Sequence, residues 1–447
     1  MKQPVVVGES YIIDIVDLSS EGLGVGKVNG FTVFTRGAVI GERVEARIFK
    51  VTKNYAVADA VKIIISSPDR IEPECNAKNC GGCQLLHLSY EGQLRYKTNK
   101  VKNMLKRIGK IEAKVNDIIG ADKPWHYRNK AEFAVMWVDD DPVIGFRAPK
   151  SHDVIPVERC YIQDTAVMDV VKAVREFIKK FANHEILSII TKLSSFNGNI
   201  MVILETVDKD LSDSEYLIDY LKQIKGVVSI VQLFKCEDKR KREKTKILYG
   251  VNKIIDKIKD LYFNITPLSF FQVNPEQTVK LYDKVLEYAD LSGNEVVVDA
   301  YCGIGTISLY LARKAKEVYG IEVVEEAVEA AKENAAINHI ANANFIAGKA
   351  EDELNSLYKR GIVADVVVVD PPRRGCDSRL LETLAAMKPK RIVYVSCDPG
   401  TLARDLRFLA DNGFDVIEVQ PVDMFPQTYH VEVVTLLVRN TKGFSDL

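Results

Sequence analysis

Three groups of residues in this 447-residue chain have types and spacings that can do chemistry. The first pairs Cys397, in Val395-Ser396-Cys397-Asp398-Pro399, with Glu432, in Tyr429-His430-Val431-Glu432-Val433-Val434. A thiolate is a nucleophile and a carboxylate is a general base, so such a pair can attack a substrate and later take a proton from it. Singly, each has a plainer reading. A Cys after a strand is usually a small buried hydrophobe, and a lone Glu is a surface residue. The second group is Val298-Asp299-Ala300-Tyr301-Cys302-Gly303-Ile304-Gly305-Thr306, with Glu322 lying 23 residues beyond Asp299. Gly303 and Gly305 let the backbone approach a ligand, and a carboxylate at the next strand end suits a ribose diol. The third group is Cys75, Cys80 and Cys83, spaced x4 and x2, with Cys160 downstream. Clustered cysteines in a chain without a secretory signal point to metal or redox chemistry, and four thiolates can hold zinc or an iron–sulfur cluster.

The glycine loop lacks the third Gly of a dinucleotide fingerprint. Its Asp-x-x-x-Gly-x-Gly form is typical of S-adenosylmethionine (SAM) sites, with dinucleotide binding as the alternative. Asp370-Pro371-Pro372-Arg373 follows another apolar strand. Two prolines there stiffen the turn and fix the direction of the Asp and its neighbouring carbonyls. Similar turns hold a planar base in several SAM-dependent methyltransferases, and the plain reading is an ordinary strand-to-loop turn. A thiol, a base and a SAM crevice together suit methylation of a pyrimidine at C5. That carbon is too weak a nucleophile to attack a sulfonium methyl. A thiolate adding to C6 makes an enolate, C5 takes the methyl, and a base removes the C5 proton so that the thiol can leave.

These groups need a frame. From about residue 265 the pattern alternates strand and helix: Val296–Val298, Thr306–Ala315, Glu317–Ile321, Glu325–His339, Val363–Val369 and Arg391–Val395. Continuous Val/Ile runs predict strands buried on both faces of a parallel sheet. Residues 4–62 predict a small β-barrel, with short strands at Tyr11–Val16, Phe31–Thr35, Arg43–Phe49 and Tyr55–Ile65 between glycine-rich turns. Between them, Ile200–Thr206 and Val227–Leu233 read as strands, Thr165–Phe181 as a helix and Lys235–Lys246 as an exposed loop. A helix is predicted from Ser89 to Gly109, with Leu94, Val101, Leu105 and Ile108 on its inner face. Its segment Gln93–Lys110 carries seven basic residues and no acid, which reads either as a solvated face or as a phosphate contact.

Composition narrows the field. At 47% hydrophobic and 28% charged, the chain is neither disordered nor a disulfide miniprotein, and its length predicts two to four domains. A net charge of −1 gives no overall attraction to nucleic acid, so any such contact is local. No run approaches a membrane span, and the first residues lack a signal-peptide pattern, so a cytoplasmic protein without membrane contact is expected.

Three further motifs complete the picture: Cys80-Gly81-Gly82-Cys83-Gln84, Tyr127-Arg128-Asn129-Lys130 and Phe271-Gln272-Val273-Asn274. With the Asp299, Asp370, Cys397 and Glu432 motifs in this order, the chain resembles the RNA (uracil-5-)-methyltransferase family, in its bacterial 23S rRNA branch. The resemblance covers nearly the whole chain. It implies an RNA-binding TRAM β-barrel over 1–62, a central α+β iron–sulfur domain over 63–264, and a Rossmann-like methyltransferase domain over 265–447. It also implies that the helix near 93–125 packs on the catalytic domain. It places the nucleophile on Cys397 and the base on Glu432. SAM contacts fall on Gln272, Tyr301, Glu322 and Asp370, and 4Fe–4S ligands on Cys75, Cys80, Cys83 and Cys160. The expected partner is 23S rRNA, on the ground that classical bacterial tRNA enzymes of the family lack barrel and cluster; tRNA is the alternative, and a monomer is expected. A non-catalytic RNA-binding assembly factor is a further alternative. A radical SAM enzyme is disfavoured, because that class uses Cys-x3-Cys-x2-Cys. Two features depart from the family pattern. The x4 spacing before Cys80 puts Cys75 in question. Lys349 stands where a carboxylate often reads the adenine amine, and Lys accepts no hydrogen bond; Glu351, a backbone carbonyl or packing must serve instead. Phe270 and Phe271, beside Gln272, are candidates to stack on the target base.

Overall fold

A computed structural model of the chain describes residues 3–77, 79–235 and 244–440. Cys236 and most of the loop expected over Lys235–Lys246 lie outside them. The last part of that loop differs from expectation, since Lys244–Gly250 is an edge strand.

Near the N-terminus, six strands form one sheet: Ser10–Asp14, Asp17–Leu18, Gly24–Val28, Phe31–Arg36, Arg43–Val51 and Tyr55–Ile65. Alternation puts Ile13, Val33, Val44, Ala46, Ile48, Ala56 and Ala58 on one face, where they form a closed apolar core. The Val16 amide donates to the Val25 carbonyl, drawing the first strand towards the third and curling the sheet into a barrel. Gly24–Val28 reads as a turn in the sequence and is a strand in the structure. A Cβ on Gly26 would lie 2.3 Å from Ile13 Cγ2, so the backbones there approach too closely for any other residue.

The central region is a seven-stranded sheet in the order 154–156, 141–147, 130–138, 186–193, 200–206, 227–234, 244–250. The helices Thr165–Phe181 and Ser214–Leu221 cover its core through Val170, Val174, Phe177, Leu217 and Leu221.

The C-terminal sheet positions the site. Its eight strands run in the order 343–347, 317–322, 296–299, 366–369, 391–396, 432–439, 414–422, 114–115. The first five are mutually parallel, and 432–439 runs antiparallel to 391–396. Val366–Val369 are each at most 2% exposed, as a strand covered by helices on both faces must be. Full burial of a Val contributes about 1.5–3 kcal/mol over leaving it in water.

The strand Lys114–Val115 joins this sheet beside Phe414–Val422, although it precedes the central region in sequence. The helix Tyr90–Met104 and the π-helical turn Leu105–Gly109 come with it. Ser89 caps that helix by accepting from the Gly92 amide. The hairpin Ile254–Ile258/Leu261–Ile265 also packs here, held by Asn334, whose Oδ1 accepts from the Asn264 amide at 2.9 Å. Among the described residues, no helix is long and apolar enough to cross a membrane.

Candidate active site

Parallel strands bring their C-terminal ends to one edge of the sheet, where a ligand crevice forms. Asp299, Glu322 and Asp370 stand at or just beyond the ends of three adjacent strands, and Cys397 follows a fourth. Because 432–439 runs the other way, its first residue falls at the same edge. Ser396 pairs with Val433, so Cys397 and Glu432 occupy the next register position. Two residues 35 apart in sequence are thus made neighbours by one antiparallel pairing.

Burial sets the electrostatics of this edge. Glu432 is 6% exposed, and its carboxyl is pushed up to about 8 by burial, with the Asp370 carboxylate adding and Arg373 opposing. Burial, with the Asp299 carboxylate adding, lifts Asp370 to about 7. The Cys397 thiol is pushed up to about 12 by burial, then by Glu432 and Asp370; Arg373 opposes. No side-chain hydrogen bond holds Glu432 or Asp370 among the described residues, so both carboxyls are open to a ligand.

The glycine loop is tied beneath this edge. Glu322 Oε2 accepts from the Gly303 amide at 3.1 Å and Oε1 from the Val324 amide at 2.9 Å. Gly303 has φ +53°, and nothing lies within 4 Å of where its Cβ would stand. The backbone thus leaves a cradle over the loop. Asp299 Oδ2 accepts from Ser308 Oγ at 2.6 Å, while the buried Oδ1 has no partner. The Tyr282 hydroxyl shares a 2.8 Å hydrogen bond with Thr306 Oγ1 and lies within reach of the Gln272 side chain. Asn129 fixes the Gln272 segment: its Nδ2 donates to the Gln272 carbonyl and its amide to that of Val273. Tyr301 is half-buried, with its hydroxyl within reach of the Cys376 thiol. Lys349 is exposed, at the start of the helix Ala350–Lys359, and Glu351 is engaged by Arg379 at 3.1 Å.

Of the two stacking candidates, Phe271 is 8% exposed and packs against Phe263, whereas Phe270 is 66% exposed. The phosphate-contact reading of the basic helix needs the same correction. Lys97 is wholly buried, donating to Asp423 Oδ1 at 2.5 Å and to the Phe425 carbonyl at 3.0 Å. Lys100 donates to the Tyr429 carbonyl at 2.9 Å, and Arg95 pairs with Asp69. These three hold protein: Lys97 and Lys100 because the helix packs along the segment that leads to Glu432, and Arg95 through the segment before the helix. Ile108 is 48% exposed rather than part of the inner face. Nothing near Lys97 in sequence signals its partner, which is 326 residues away; the acid-free basic run Gln93–Lys110 is the one hint.

Away from the sheet edge, Cys75, Cys80, Cys83 and Cys160 line one small cavity. Trp125, Phe146, Val157 and Ile162 line it too. The x4 spacing therefore does not keep Cys75 from the other three. The Gly82 amide donates to Cys80 Sγ at 3.5 Å. Burial pushes Cys160 up to about 11, and also raises Cys80 and Cys83. No three His, Cys, Asp or Glu side chains among the described residues are placed to hold a single metal ion.

Comparison with known proteins bears on this arrangement. The sequence model of the family described as tRNA (uracil-5-)-methyltransferase matches residues 89–440, and that of the TRAM domain matches 4–61. The chain belongs to the tRNA (uracil-5-)-methyltransferase family. It is an RNA (uracil-5-)-methyltransferase with an N-terminal TRAM domain and a C-terminal Rossmann-like fold. A Clostridium tetani protein described as an uncharacterized RNA methyltransferase is 47% identical, over 97% of each chain. One of Caldanaerobacter subterraneus, described likewise, is 48% identical, over 97% of this chain and 99% of its own. The structure of Pyrococcus abyssi tRNA (uracil-54, C5)-methyltransferase in complex with S-adenosyl-L-homocysteine is similar, with a TM-score of 0.74 and 28% identity. The alignment covers 96% of this chain and 100% of that one.

Proposed function

We propose that this methyltransferase carries a methyl group from SAM to C5 of a uridine in RNA, with Cys397 as nucleophile and Glu432 as general base. The carrying observation is the register pair Ser396–Val433, which sets the thiol and the carboxyl side by side at the ligand edge of the sheet. SAM supplies an electrophilic methyl group. Asp299, Tyr301, Glu322, Asp370 and Gln272 hold it over the glycine loop, a role supported by the open cradle at Gly303 and the unpartnered Asp299 Oδ1. The similar Pyrococcus protein is in complex with S-adenosyl-L-homocysteine, the product left when SAM gives up its methyl group, which fits the same use.

Cys397, partly exposed, gives its proton to solvent and adds to C6 as a thiolate, a form that Arg373 favours. C5 then takes the methyl group. Glu432 removes the C5 proton, and elimination restores the double bond and frees the thiolate. Phe270 stacks on the extruded base.

For the RNA, tRNA now has better support than 23S rRNA. The expectation of rRNA rested on classical bacterial tRNA enzymes lacking both the barrel and the cluster. The Pyrococcus tRNA enzyme aligns over 96% of this chain, and the uncovered 4% is shorter than the barrel. The rRNA reading keeps the resemblance carried by the Cys80–Gln84 motif as its support.

The four cysteines suit a 4Fe–4S cluster better than zinc, since each ligates a different iron and so stands farther from its fellows than four ligands of one ion. One apolar cavity lined by all four supports that fit. Its part is structural, cross-linking 75–83 to the strand region before Thr165. No net electron moves in the methyl transfer. The working division into units is 1–62, 63–264 and 265–447, acting as a cytoplasmic monomer.

The test is methyl transfer from labelled SAM to separate unmodified tRNA and 23S rRNA, with nucleoside analysis and Cys397→Ala alongside. Label in 5-methyluridine, absent from the variant, is expected, and the labelled RNA decides the substrate. Label in another nucleoside would overturn the reading.

A further inference from the structure

The turn that follows Cys397 starts the helix Pro399–Asp411, and two separate basic segments grip it. On one side is the π-helical turn Leu105–Gly109. A Cβ on Gly109 would lie 2.9 Å from the Ala403 carbonyl, and Ile108 Cδ1 stands 3.8 Å from the Cβ position of Gly400. The amides of Lys110 and Ile111 both return to the Leu105 carbonyl, and Lys110 has φ +52°, so the turn ends abruptly. Lys106, Arg107 and Lys110 are exposed on it. On the other side, Thr401 Oγ1 donates to the Arg373 carbonyl at 3.1 Å, and Arg404 Nη2 donates to that of Arg374 at 2.9 Å. Arg373 and Arg374 are also exposed.

None of these five side chains forms an ion pair or hydrogen bond with a described residue. This sets them apart from Arg95, Lys97 and Lys100, which hold protein. Unpaired cations on both flanks of one turn repel each other and leave a positive mouth beside the turn that follows the thiol. Arg373 faces inward enough to act on both Cys397 and Glu432.

We propose that this mouth is a two-sided phosphate clamp for a single RNA strand. Lys106, Arg107 and Lys110 hold the backbone on one side of the extruded uridine, and Arg373 and Arg374 hold it on the other. This rests on the uridine-methyltransferase reading, for an extruded base entering the crevice must leave its two flanking phosphates at the rim. Phosphate contacts fix register without reading sequence, so the clamp holds the strand rather than selecting the uridine. A π-turn suits the role, since such turns recur at functional sites.

The test compares the triple variant K106Q/R107Q/K110Q with wild type and with K314Q/K316Q. Lys314 and Lys316 are exposed at the opposite edge of the C-terminal sheet. Affinity for unmodified tRNA and 23S rRNA-fragment transcripts is measured by direct binding across a salt series, beside SAM affinity and kcat at saturating RNA. For the π-turn triple, the slope of log affinity against log salt should become shallower by about 2, from three contacts at about 0.7 each. RNA affinity should fall roughly tenfold or more at moderate salt, with SAM affinity and kcat unchanged. An unchanged slope, or an equal loss in K314Q/K316Q, overturns the clamp. Failure of wild type to methylate any RNA would overturn the underlying reading instead, and the binding slopes would still decide the clamp.

Discussion

The crevice and the cysteine cavity both hold half-buried thiols that burial has made weaker acids, and yet they are built for different ends. At the crevice, one thiol stands beside carboxyls without hydrogen bonds and a single cation, all at a sheet edge. In the cavity, four thiols stand close together among aromatic and aliphatic side chains, with Arg159 also in the lining and Arg128 acting on Cys83. A thiol that costs free energy to ionise stays inert until something arrives that rewards the thiolate. A pyrimidine ring does this by forming a bond that is later broken. Iron does it by forming bonds that stay.

The contrast breaks most sharply at the two nucleophile positions. Cys397→Ala should lower transfer roughly 10⁴-fold or more while SAM binding persists, measured by label incorporation and calorimetry. If it merely slowed transfer several-fold, the thiol would not be forming a bond to the base.

Next comes the base. Glu432→Gln should slow turnover roughly 10²–10⁴-fold. Because it acts after the methyl has moved, a covalent protein–RNA adduct carrying label should accumulate on denaturing gels. Loss of turnover without adduct would move Glu432 to an earlier step.

A smaller effect is the pH dependence. A carboxyl raised to about 8 is protonated at neutral pH, and only its ionised form is a base. Where removal of the C5 proton limits turnover, wild-type kcat should rise about tenfold per pH unit below that value and level off above it; a continued rise towards about 12 would mark thiol ionisation as limiting. The same raised value makes stability fall as pH climbs from the ordinary carboxyl range to about 8, because the folded state holds a proton that the unfolded state has released. Glu432→Gln should remove the rate trend and lessen the stability trend, Asp370 at about 7 supplying a remainder, read by rate profiles and by urea unfolding.

The smallest catalytic effect belongs to the cavity. Cys80→Ala should reduce iron from about four per chain to little and lower soluble yield several-fold, with weaker RNA binding. The kcat of the protein that remains should change little. If yield and RNA binding stayed intact while methylation vanished, the cluster would have a chemical part and the contrast would fail.

Much of the crevice was legible in the sequence, because its residues sit at the ends of long Val/Ile strands whose pattern announces a parallel sheet. Asp299, Glu322, Asp370 and Cys397 are each placed by one local rule. The strand Gly24–Val28 was not legible, since glycines needed for close backbone approach look like glycines needed for turns. The inward use of Lys97 and Lys100 was hidden for another reason. Their partners, Asp423 and the Tyr429 carbonyl, are local to them only after folding. Phe270 and Phe271 are alike in sequence, and only packing against Phe263 separates them.

The Lys97–Asp423 pair also sets a timetable. Lys97 leaves the ribosome 326 residues before the carboxylate that will neutralise it. At roughly 5–20 residues per second that is a wait of roughly 15–65 s. Removing one partner of such a buried pair costs about 3–5 kcal/mol, so until then the helix has no stable place to dock. The barrel and the central sheet can finish early, each from contiguous chain. The methyltransferase half closes only when its last strands arrive, and an unfinished chain therefore has no assembled active site.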